Sequence, residues 1–255
     1  MKQTLIALLG TIAVTLPSQA ASLAGLWEFN NPANLGQATT GPNLVIAGTA
    51  PSHSLSLADD AALAQAGVIT TVVGPANNLV ASNIIGGNGG GTFTNQYSLL
   101  IDMVSPVASR GTWRTLFQTA PANNNDGDYF INPGGSMGVS ALTYSTAVND
   151  TQWSRLVLTF ELGTAVKAYL NGSLLVDHSP STVDSRFSLG STFLLFGDED
   201  SENNPLNIST VALWSGALSA GEVGALGLPG APVPEPTGLM LSLAALGGAA
   251  LRRRR

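Results

Sequence analysis

The stretch NNNDGDYFIN holds the first residues of this chain whose types and spacing could bind a cation. Asp126 and Asp128 flank Gly127, and three asparagines, the last of them Asn125, precede this pair. Short oxygen-bearing side chains on a tight turn suit Ca²⁺, which prefers several oxygen ligands from a loop that can curl. The stretch is not an EF-hand, because no glutamate closes the loop and a strand is expected to follow it. The alternative is a solvated turn of residues that tolerate left-handed backbone geometry.

A second stretch, FGDEDSENNP, places four carboxylates within five consecutive positions. Crowded carboxylates repel one another unless a cation neutralises them. If the preceding strand continued through this stretch, the side chains of Asp198, Asp200 and Glu202 would project to the same side. An acidic surface turn is the alternative. A Ca²⁺ site built from both stretches has as its candidate ligands Asp126, Asp128, Asp198, Asp200 and Glu202.

Patterns typical of catalytic sites are weak in this sequence. His53 and His178 are the only histidines, and neither accompanies a G-x-S-x-G nucleophile motif. Two histidines are too few for a three-histidine zinc site, so surface loops are expected for both. Paired carboxylates can hydrolyse a glycoside when they flank the bond, but no predicted strand carries an E-x-D-x-E array. The sequence therefore predicts that the protein is not an enzyme.

The aromatic residues suggest where a ligand could stack. Each of the four tryptophans lies in a predicted strand among apolar neighbours, which indicates core positions. The four tyrosines are better candidates for an exposed stacking face, and Tyr144 lies in a polar loop. Tyr144 and Asn125 are therefore the candidate ligand-binding residues.

The elements that must position these residues are short β-strands divided by Gly, Asn, Pro and Ser. Alternation of apolar and polar residues, as in AVKAYLNG, is typical of half-buried strands, and Asn171-Gly172 is a strong hairpin signal. Ser219 and Glu222 have the spacing of a capping box, which predicts one short helix, and a weaker helical turn is expected over residues 59–66. The predicted strands cover residues 23–29, 95–104, 112–118, 128–132, 153–162, 193–197 and 207–214, with a hairpin over 165–176.

These elements predict an all-β fold, a two-sheet antiparallel β-sandwich with one short C-terminal helix. Many short strands with polar turns are typical of such sandwiches. Strands that alternate with long amphipathic helices would have indicated a parallel α/β sheet instead, and that pattern is not found in the sequence.

The N-terminal end has the features of a processing segment. Lys2 precedes an apolar stretch from Leu5 to Leu16, and small residues follow at Ser18 and Ala20. This order is typical of a secretory signal peptide that forms a short helix, so residues 1–21 are assigned to the signal and cleavage is expected after residue 20 or 21.

Charge and cysteine content restrict the function of the chain between its ends. Residues 22–231 carry five basic and fifteen acidic side chains, a net charge of −10. Such a surface repels phosphate backbones and anionic headgroups, which argues against nucleic-acid binding. The chain has no cysteine, so neither disulfides nor thiol chemistry contribute to it.

The C-terminal end VPEPTGLMLSLAALGGAALRRRR resembles a PEP-CTERM sorting signal. The matching parts are a Pro-Glu-Pro motif, an apolar run over residues 239–251 and a basic tail, in that order. The resemblance implies a bacterial protein that an exosortase recognises in the inner membrane after signal peptidase has acted. The apolar run is short for a ~20-residue span, so this transmembrane helix is expected to anchor the protein only transiently. The sorting-signal residues are Pro234, Glu235, Pro236, Arg252, Arg253, Arg254 and Arg255.

The central part of the chain resembles the concanavalin A-like, laminin-G-like jelly rolls. The resemblance rests on LWEFN, on TQWSRLVLTFELGTAVKAYLNGSLL and on LLFGDEDSENNPLNISTVALWSGALSAGEVGALG. It implies a jelly-roll domain over residues 22–228. The prolines that follow indicate a linker over 229–238, and the PEP-CTERM resemblance implies the sorting helix with its Arg tail over 239–255. Some members hold Ca²⁺ through loop carboxylates, which by position would be those of Asp126, Asp128, Asp198 and Asp200.

The function expected from this resemblance is that of an exported cell-surface or extracellular-matrix protein that binds polysaccharide or matrix components without catalysis. Two alternatives stay open at this point. One is a structural envelope or biofilm protein without a discrete ligand, and the other is a glycoside hydrolase or lyase.

Overall fold

The computed structural model describes residues 21–54, 67–120, 122–124 and 127–234. These segments contain fifteen strands, one short 3₁₀ turn (Val107–Ser109) and one α-helix, α1 (Ala220–Ala225). The strands are β1 (Leu23–Trp27), β2 (Val45–Ala47), β3 (Ser52–Ser54), β4 (Val68–Thr70), β5 (Asn78–Ser82), β6 (Gln96–Val104), β7 (Arg114–Gln118), β8 (Tyr129–Ile131), β9 (Ser136–Val139), β10 (Thr143–Ala147), β11 (Ser154–Glu161), β12 (Ala165–Leu170), β13 (Ser173–His178), β14 (Thr192–Leu195) and β15 (Asn207–Trp214).

The strands form two antiparallel sheets, which confirms the predicted sandwich. The eight-stranded sheet has the order β13-β12-β11-β6-β15-β4-β3, and β1 also pairs with β15. The seven-stranded sheet has the order β10-β9-β8-β7-β14-β5-β2. Apolar side chains from both sheets form the core between them, because alternate residues of each strand point to the same face.

Two local predictions are confirmed by the backbone. Asn171 and Gly172 both have positive φ, 51° and 80°, and they connect β12 to β13 as a tight hairpin. The Ser219 hydroxyl accepts the N–H of Glu222, and the Glu222 carboxylate accepts the N–H of Ser219, so the capping box starts α1.

Other predictions fall on residues that the structure does not describe. These are the signal helix, the helical turn at 59–66, the sorting helix with Arg252 to Arg255, and the individual residues Asn125, Asp126, Glu235 and Pro236. Within the described segments, none of the helices has the length and apolar character that a membrane crossing requires.

A second apolar cluster covers the outer face of the eight-stranded sheet. Tyr169 and Trp214 from the sheet pack there against Val223 and Leu226 of the helical segment. Ala21, the first described residue, joins the same cluster. This face is therefore buried by α1 and the two ends of the described chain.

The segment after α1 is fixed to the sheet by a buried ion pair. Arg155 on β11 pairs with Asp102 on β6, with an Nη2–Oδ2 distance of 2.7 Å, and both side chains are fully buried. The Arg155 guanidinium also donates to the backbone carbonyls of Leu226 and Ala231, and the N–H of Gly230 lies 3.4 Å from the Asp102 carboxylate. We call residues 226–231 the C-terminal strap.

Several side chains occupy other environments than the sequence predicted. Tyr97, Tyr129 and Tyr169 are buried, so they do not belong to an exposed stacking face. His178 is buried on β13 rather than in a surface loop, and its Nε2 lies 2.8 Å from the Tyr129 hydroxyl. His53 lies on β3, and its ring contacts the carbonyl of Phe29. Aromatic and imidazole rings can enter a core when their polar atoms find hydrogen-bond partners there.

Candidate functional site

Acidic residues from distant parts of the sequence meet at the seven-stranded sheet. Asp128 directly precedes β8, whereas Asp198 and Glu199 follow β14. Because β7 lies between β8 and β14, the sheet order brings these positions together. One carboxylate oxygen from each of Asp128, Asp198 and Glu199 lies within 4.8 Å of the others. We call these three residues the acidic cluster.

The loop after β14 explains which carboxylates enter the cluster. Asp198 is buried, and its Oδ2 accepts the backbone N–H groups of Asp200 (2.9 Å) and Glu202 (2.8 Å). The chain therefore turns here instead of continuing as a strand, and the expected alternation of side chains does not occur. Asp200 is exposed, and neither Asp200 nor Glu202 belongs to the acidic cluster, whereas Glu199 does.

Gln118, the last residue of β7, is a buried neighbour of the acidic cluster. It is 0% exposed, and its Nε2 donates to Glu199 Oε2 at 3.0 Å. Its carboxamide also lowers the pKa of the Asp128 carboxyl group. Two buried oxygens at this place, Gln118 Oε1 and Asp128 Oδ1, have no hydrogen-bond partner. Buried polar atoms without a partner are rare in folded proteins.

The electrostatics of the acidic cluster disfavour full ionisation. Burial is the largest cause that raises the pKa of Asp128 to about 7, and the charges of Glu199 and Asp198 act in the same direction. The hydrogen bond from Gln118 and the charge of Arg186 lower this pKa. Arg186 Nη2 lies 3.9 Å from Asp128 Oδ2. The guanidinium of Arg186 thus lies beside Asp128 and partly offsets the effect of burial on that carboxyl group.

An open cleft lies next to the acidic cluster. Its volume is about 530 Å³. The residues that line it include one aromatic residue, several polar residues, one acid and one cation, namely Phe93, Thr119, Asn124, Asp184, Ser185, Arg186 and Ser188. We call this feature the cleft. It combines an apolar surface with several polar groups, as small-ligand sites usually do.

Asp184 fixes the position of Phe93 at the mouth of the cleft. Its carboxylate accepts the backbone N–H groups of Thr92 (2.8 Å) and Phe93 (3.0 Å) and the side-chain amide of Asn95 (2.9 Å). These hydrogen bonds lower the pKa of Asp184, the one from Asn95 most strongly. The Phe93 ring remains 47% exposed. A large apolar ring is therefore presented to solvent from an anchored backbone.

Thr119 and Arg186 connect the cleft to the acidic cluster. The Thr119 hydroxyl donates to the carbonyl of Arg186 and accepts the N–H of Gly127 at 3.0 Å. Thr119 follows Gln118, so successive residues of one chain segment reach the cleft and the acidic cluster. The side chain of Arg186 lines the cleft and faces Asp128 at the same time.

Of the two predicted ligand-binding residues, one belongs to the described part of the chain. Tyr144 lies on β10, the edge strand of the seven-stranded sheet, where it is half-buried and does not line the cleft. Asn125 lies outside the described residues, although its neighbour Asn124 lines the cleft.

The comparison with protein families agrees with the sandwich. The model of the concanavalin A-like lectin/glucanases superfamily matches residues 92–224, which is more than half of the chain. The chain belongs to this superfamily. The matched range contains all members of the acidic cluster and all of the described residues that line the cleft, including Phe93 and Arg186.

Solved structures of other proteins show the same fold. Domain 4 of AbnA, a GH43 extracellular arabinanase from Geobacillus stearothermophilus solved with arabinotriose, has 18% identity and a TM-score of 0.55, covering 82% of this chain and all of that chain. The receptor-binding domain of botulinum neurotoxin D has 16% identity and a TM-score of 0.53, covering 80% of this chain and 52% of that chain. A structure of botulinum neurotoxin type C has 12% identity and a TM-score of 0.52, covering 80% of this chain and 50% of that chain. The cell entry of that toxin depends on interaction with two ganglioside molecules.

These identities establish a common fold and do not assign a ligand to this chain. Among curated proteins, none matches the sequence.

Four residues of the site were not singled out from the sequence: Gln118, Glu199, Phe93 and Arg186. For Phe93 and Gln118, the neighbouring sequence contains a signal that could have identified them. Phe93 is a large apolar residue inside a glycine-rich polar loop, and Gln118 is a polar residue that directly follows the apolar pair Leu116 and Phe117. Glu199 belongs to the acidic stretch that the sequence pattern identified, although it was not among the expected ligands, and Arg186 carries no local signal. The places of both residues depend on how distant loops meet.

Proposed function

We propose that this protein is an exported bacterial surface or matrix protein whose jelly roll binds carbohydrate in the cleft without turning it over. The observation that carries the proposal is the combination of an exposed, anchored aromatic ring with the polar lining of the cleft. Sugars present an apolar face of C–H groups and a rim of hydroxyls, and the cleft offers a complementary partner to each.

Individual groups of the cleft match the parts of a sugar. The Phe93 ring can pack against the apolar face of a pyranose or furanose. The side-chain amide of Asn124 and the hydroxyl of Ser185 can exchange hydrogen bonds with sugar hydroxyls, and the Arg186 guanidinium can donate to ring or carboxylate oxygens. Asp184 acts as a positioning residue, since its carboxylate is used by the backbone that carries Phe93.

The ligands of other proteins with this fold support the proposal that this chain binds a carbohydrate. The AbnA domain was solved with arabinotriose, and the neurotoxin type C domain interacts with gangliosides. We extend this ligand class, but no particular sugar, to the present chain.

The acidic cluster favours binding over glycoside hydrolysis. A hydrolase needs two carboxyl groups that flank the scissile bond on an accessible surface. Asp128 and Asp198 are 4% and 3% exposed, so a sugar ring has no room between their carboxyl groups.

Phe93→Ala is expected to weaken carbohydrate binding at least about tenfold while it leaves the melting temperature unchanged. Truncating an aromatic anchor at a binding site typically costs more than ~1 kcal/mol, whereas an exposed ring contributes little to folding. A glycan array that includes arabinotriose and ganglioside oligosaccharides identifies a binder, and titration calorimetry then measures its Kd for both proteins.

Val107→Ala is the matched control for that experiment. Val107 is also an exposed apolar residue, with 77% of its surface accessible. Phe93 precedes β6 and Val107 follows it, so the two residues are separated by the length of this extended strand, roughly 30 Å. The Val107→Ala variant should bind the glycan with the same Kd as the wild type. A wild-type protein that binds no glycan on the array, with or without EDTA, would refute the proposed function.

The export route rests on the sequence signals at the two ends. Protein recovered from the producing cells is expected to have lost the signal peptide, so that its first residue is Ala21 or Ser22, and to end near the Pro-Glu-Pro motif. Intact-mass spectrometry measures both ends at once. An exported protein that still carried the four terminal arginines would contradict cleavage by an exosortase.

A further inference from the structure

We propose that the buried side chain of Asn95 positions the Phe93 ring for binding, because it joins the loop that carries Phe93 to a second segment that lines the cleft, residues 184–188. We call residues 86–93 the glycine loop. This inference rests on the proposed function, since it concerns how the same cleft is held in shape for its ligand. Asn95 itself does not line the cleft, so it acts on a glycan only through Phe93.

The side-chain amide of Asn95 contacts both segments from inside the protein, where it is 0% exposed. Its Nδ2 donates to the carbonyls of Asn88 (3.1 Å) and Phe93 (3.0 Å) in the glycine loop and to the carboxylate of Asp184 (2.9 Å). Its Oδ1 accepts the N–H of Asp184 (2.8 Å) and the hydroxyl of Ser188 (2.8 Å). One buried side chain therefore holds together two segments that are far apart in sequence.

The chemistry of these contacts requires a carboxamide at position 95. The groups around Nδ2 are carbonyl and carboxylate oxygens, which accept hydrogen bonds, whereas the groups around Oδ1 are an N–H and a hydroxyl, which donate them. A carboxylate at this position would turn its own oxygens toward other oxygens. An apolar side chain would leave the N–H of Asp184 without its partner. The amide of Asn95 supplies the donor and the acceptor in one short side chain.

The backbone of Phe93 is held at both of its polar groups. Its N–H donates to the carboxylate of Asp184 at 3.0 Å, and its carbonyl accepts both the Asn95 amide and, at 3.1 Å, the N–H of Asn88. Asn88 also fastens the glycine loop to β6, because its Oδ1 accepts the N–H groups of Asn95 and Gln96 at 2.7 Å each. The ring is exposed, but the backbone that carries it is fixed, so we expect the ring to be in place before a glycan binds.

A glycine of the loop makes this close approach possible. A Cβ atom at Gly91 would lie 2.3 Å from Asp184 Oδ1 and 2.6 Å from Asn95 Nδ2, well inside van der Waals contact. Any side chain at this position would therefore separate the glycine loop from the groups that hold it. The glycine at position 91 thus serves close packing between the two segments.

The first test uses the glycan-free protein. In Asn95→Ala, the amide hydrogens of Thr92 and Phe93 should exchange with solvent about tenfold faster or more, because the glycine loop opens locally without breaking the hydrogen bonds of Asn95. Hydrogen exchange followed by NMR measures both amides. Unchanged exchange at both positions would overturn the proposal, whether or not the protein binds a glycan.

Gly91→Ala gives the same test without removing a buried amide. The added methyl group displaces the exposed carboxylate of Asp184 from the glycine loop, and Gly91 lies in a half-buried loop, so the variant should fold. Exchange at Thr92 and Phe93 should again be faster than in the wild type. This variant keeps the proposal testable if Asn95→Ala does not fold.

Asn203→Ala is the matched control for Asn95→Ala. Asn203 is 1% exposed, its Nδ2 donates to the carbonyls of Gly74 (3.0 Å) and Asn77 (3.1 Å), and its Oδ1 accepts the N–H of Gly74 (2.9 Å). Both variants remove a buried amide with several partners, so both should lower the melting temperature. These partners of Asn203 do not line the cleft, so exchange in the glycine loop should stay at the wild-type rate in Asn203→Ala.

The second test measures the affinity for a glycan that the wild type binds. Asn95→Ala should weaken binding about threefold to tenfold, the cost of ordering the Phe93 ring and its loop on binding, whereas Asn203→Ala should leave the Kd unchanged. In a Phe93→Ala background, Asn95→Ala should cause little further loss, because the ring through which it acts is already gone. Titration calorimetry at a temperature where all variants are folded measures each Kd.

The outcomes distinguish this inference from the proposed function. Equal losses of affinity in Asn95→Ala and Asn203→Ala would reduce the effect to general destabilisation and overturn the role of Asn95, and so would losses that add fully to that of Phe93→Ala. A wild type that binds no glycan, with exchange as expected, would refute the proposed function and uphold the joining of the two segments. A wild type that binds a glycan, with the same Kd for Asn95→Ala, would refute this inference alone.

Discussion

Asp102→Ala is expected to lower the free energy of unfolding by about 3–5 kcal/mol, because it leaves the Arg155 guanidinium buried without a counter-charge. Both side chains of this ion pair are fully buried between β6, β11 and the C-terminal strap. The substitution also removes the acceptor for the N–H of Gly230, so the C-terminal strap loses part of its anchorage. Chemical denaturation of the wild type and the variant measures the difference, provided that the m-value stays the same.

A paired substitution serves as the control for this prediction. Asp102→Leu combined with Arg155→Met removes both charges, and apolar replacements of a buried ion pair are often neutral or stabilising. The double variant should therefore be more stable than Asp102→Ala, although it loses the hydrogen bonds to Leu226 and Ala231. Unfolding free energies of Asp102→Ala and wild type that agree within about 1 kcal/mol would show that the pair does not stabilise the fold.

The long strands could be predicted from sequence, whereas several of the short ones could not. The strand expected over residues 207–214 is found as β15 (Asn207–Trp214), because eight residues suffice to show a clear apolar pattern. By contrast, β2 and β3 have three residues each, too few for any periodicity. Such strands form because a longer neighbour offers backbone partners, as β5 does for β2. Their existence is a property of the sheet and not of the local sequence.

The acidic cluster shows the same limit for function. Sequence identified both stretches that meet in it, because crowded acids beside turn residues are a local pattern. Which carboxylates converge depends on the turn after β14, where Phe196 and Ser201 adopt positive φ values of 59° and 65°. Neither residue type predicts that conformation, which is uncommon outside glycine and asparagine. The expected alternation therefore failed at Asp200, and Glu199 entered the cluster instead.

The cleft could not be predicted because its lining comes from separate loops. Phe93 precedes β6, Thr119 follows β7, and Arg186 lies between β13 and β14. Only the sheet order places these three loops side by side. Asp184 adds a contact across 92 residues of sequence when it accepts the N–H of Thr92.

Phe160→Ala is expected to cost about 3–5 kcal/mol of folding free energy, the usual range for removing a buried phenylalanine. Phe160 is fully buried, stacks on Tyr97 with ring centroids 4.5 Å apart, and meets Phe117 edge-on at 5.6 Å. It also lies 6.1 Å from the ring of Phe187. Phe160→Leu is the control: it keeps most of the volume and should cost clearly less, as measured by the same denaturation experiment.

The two destabilising substitutions should differ in their effect on the cleft, although their costs for folding are similar. Phe187 follows Arg186, and its carbonyl accepts the Tyr97 hydroxyl at 2.7 Å, so the aromatic cluster around Phe160 positions the segment that lines the cleft. Asp102 lies near the far end of β6, next to the C-terminal strap. At a temperature where both variants are folded, Phe160→Ala should therefore weaken glycan binding severalfold, whereas Asp102→Ala should leave the Kd unchanged. Equal Kd values for both variants would show that the core aromatic cluster supports the fold without positioning Arg186.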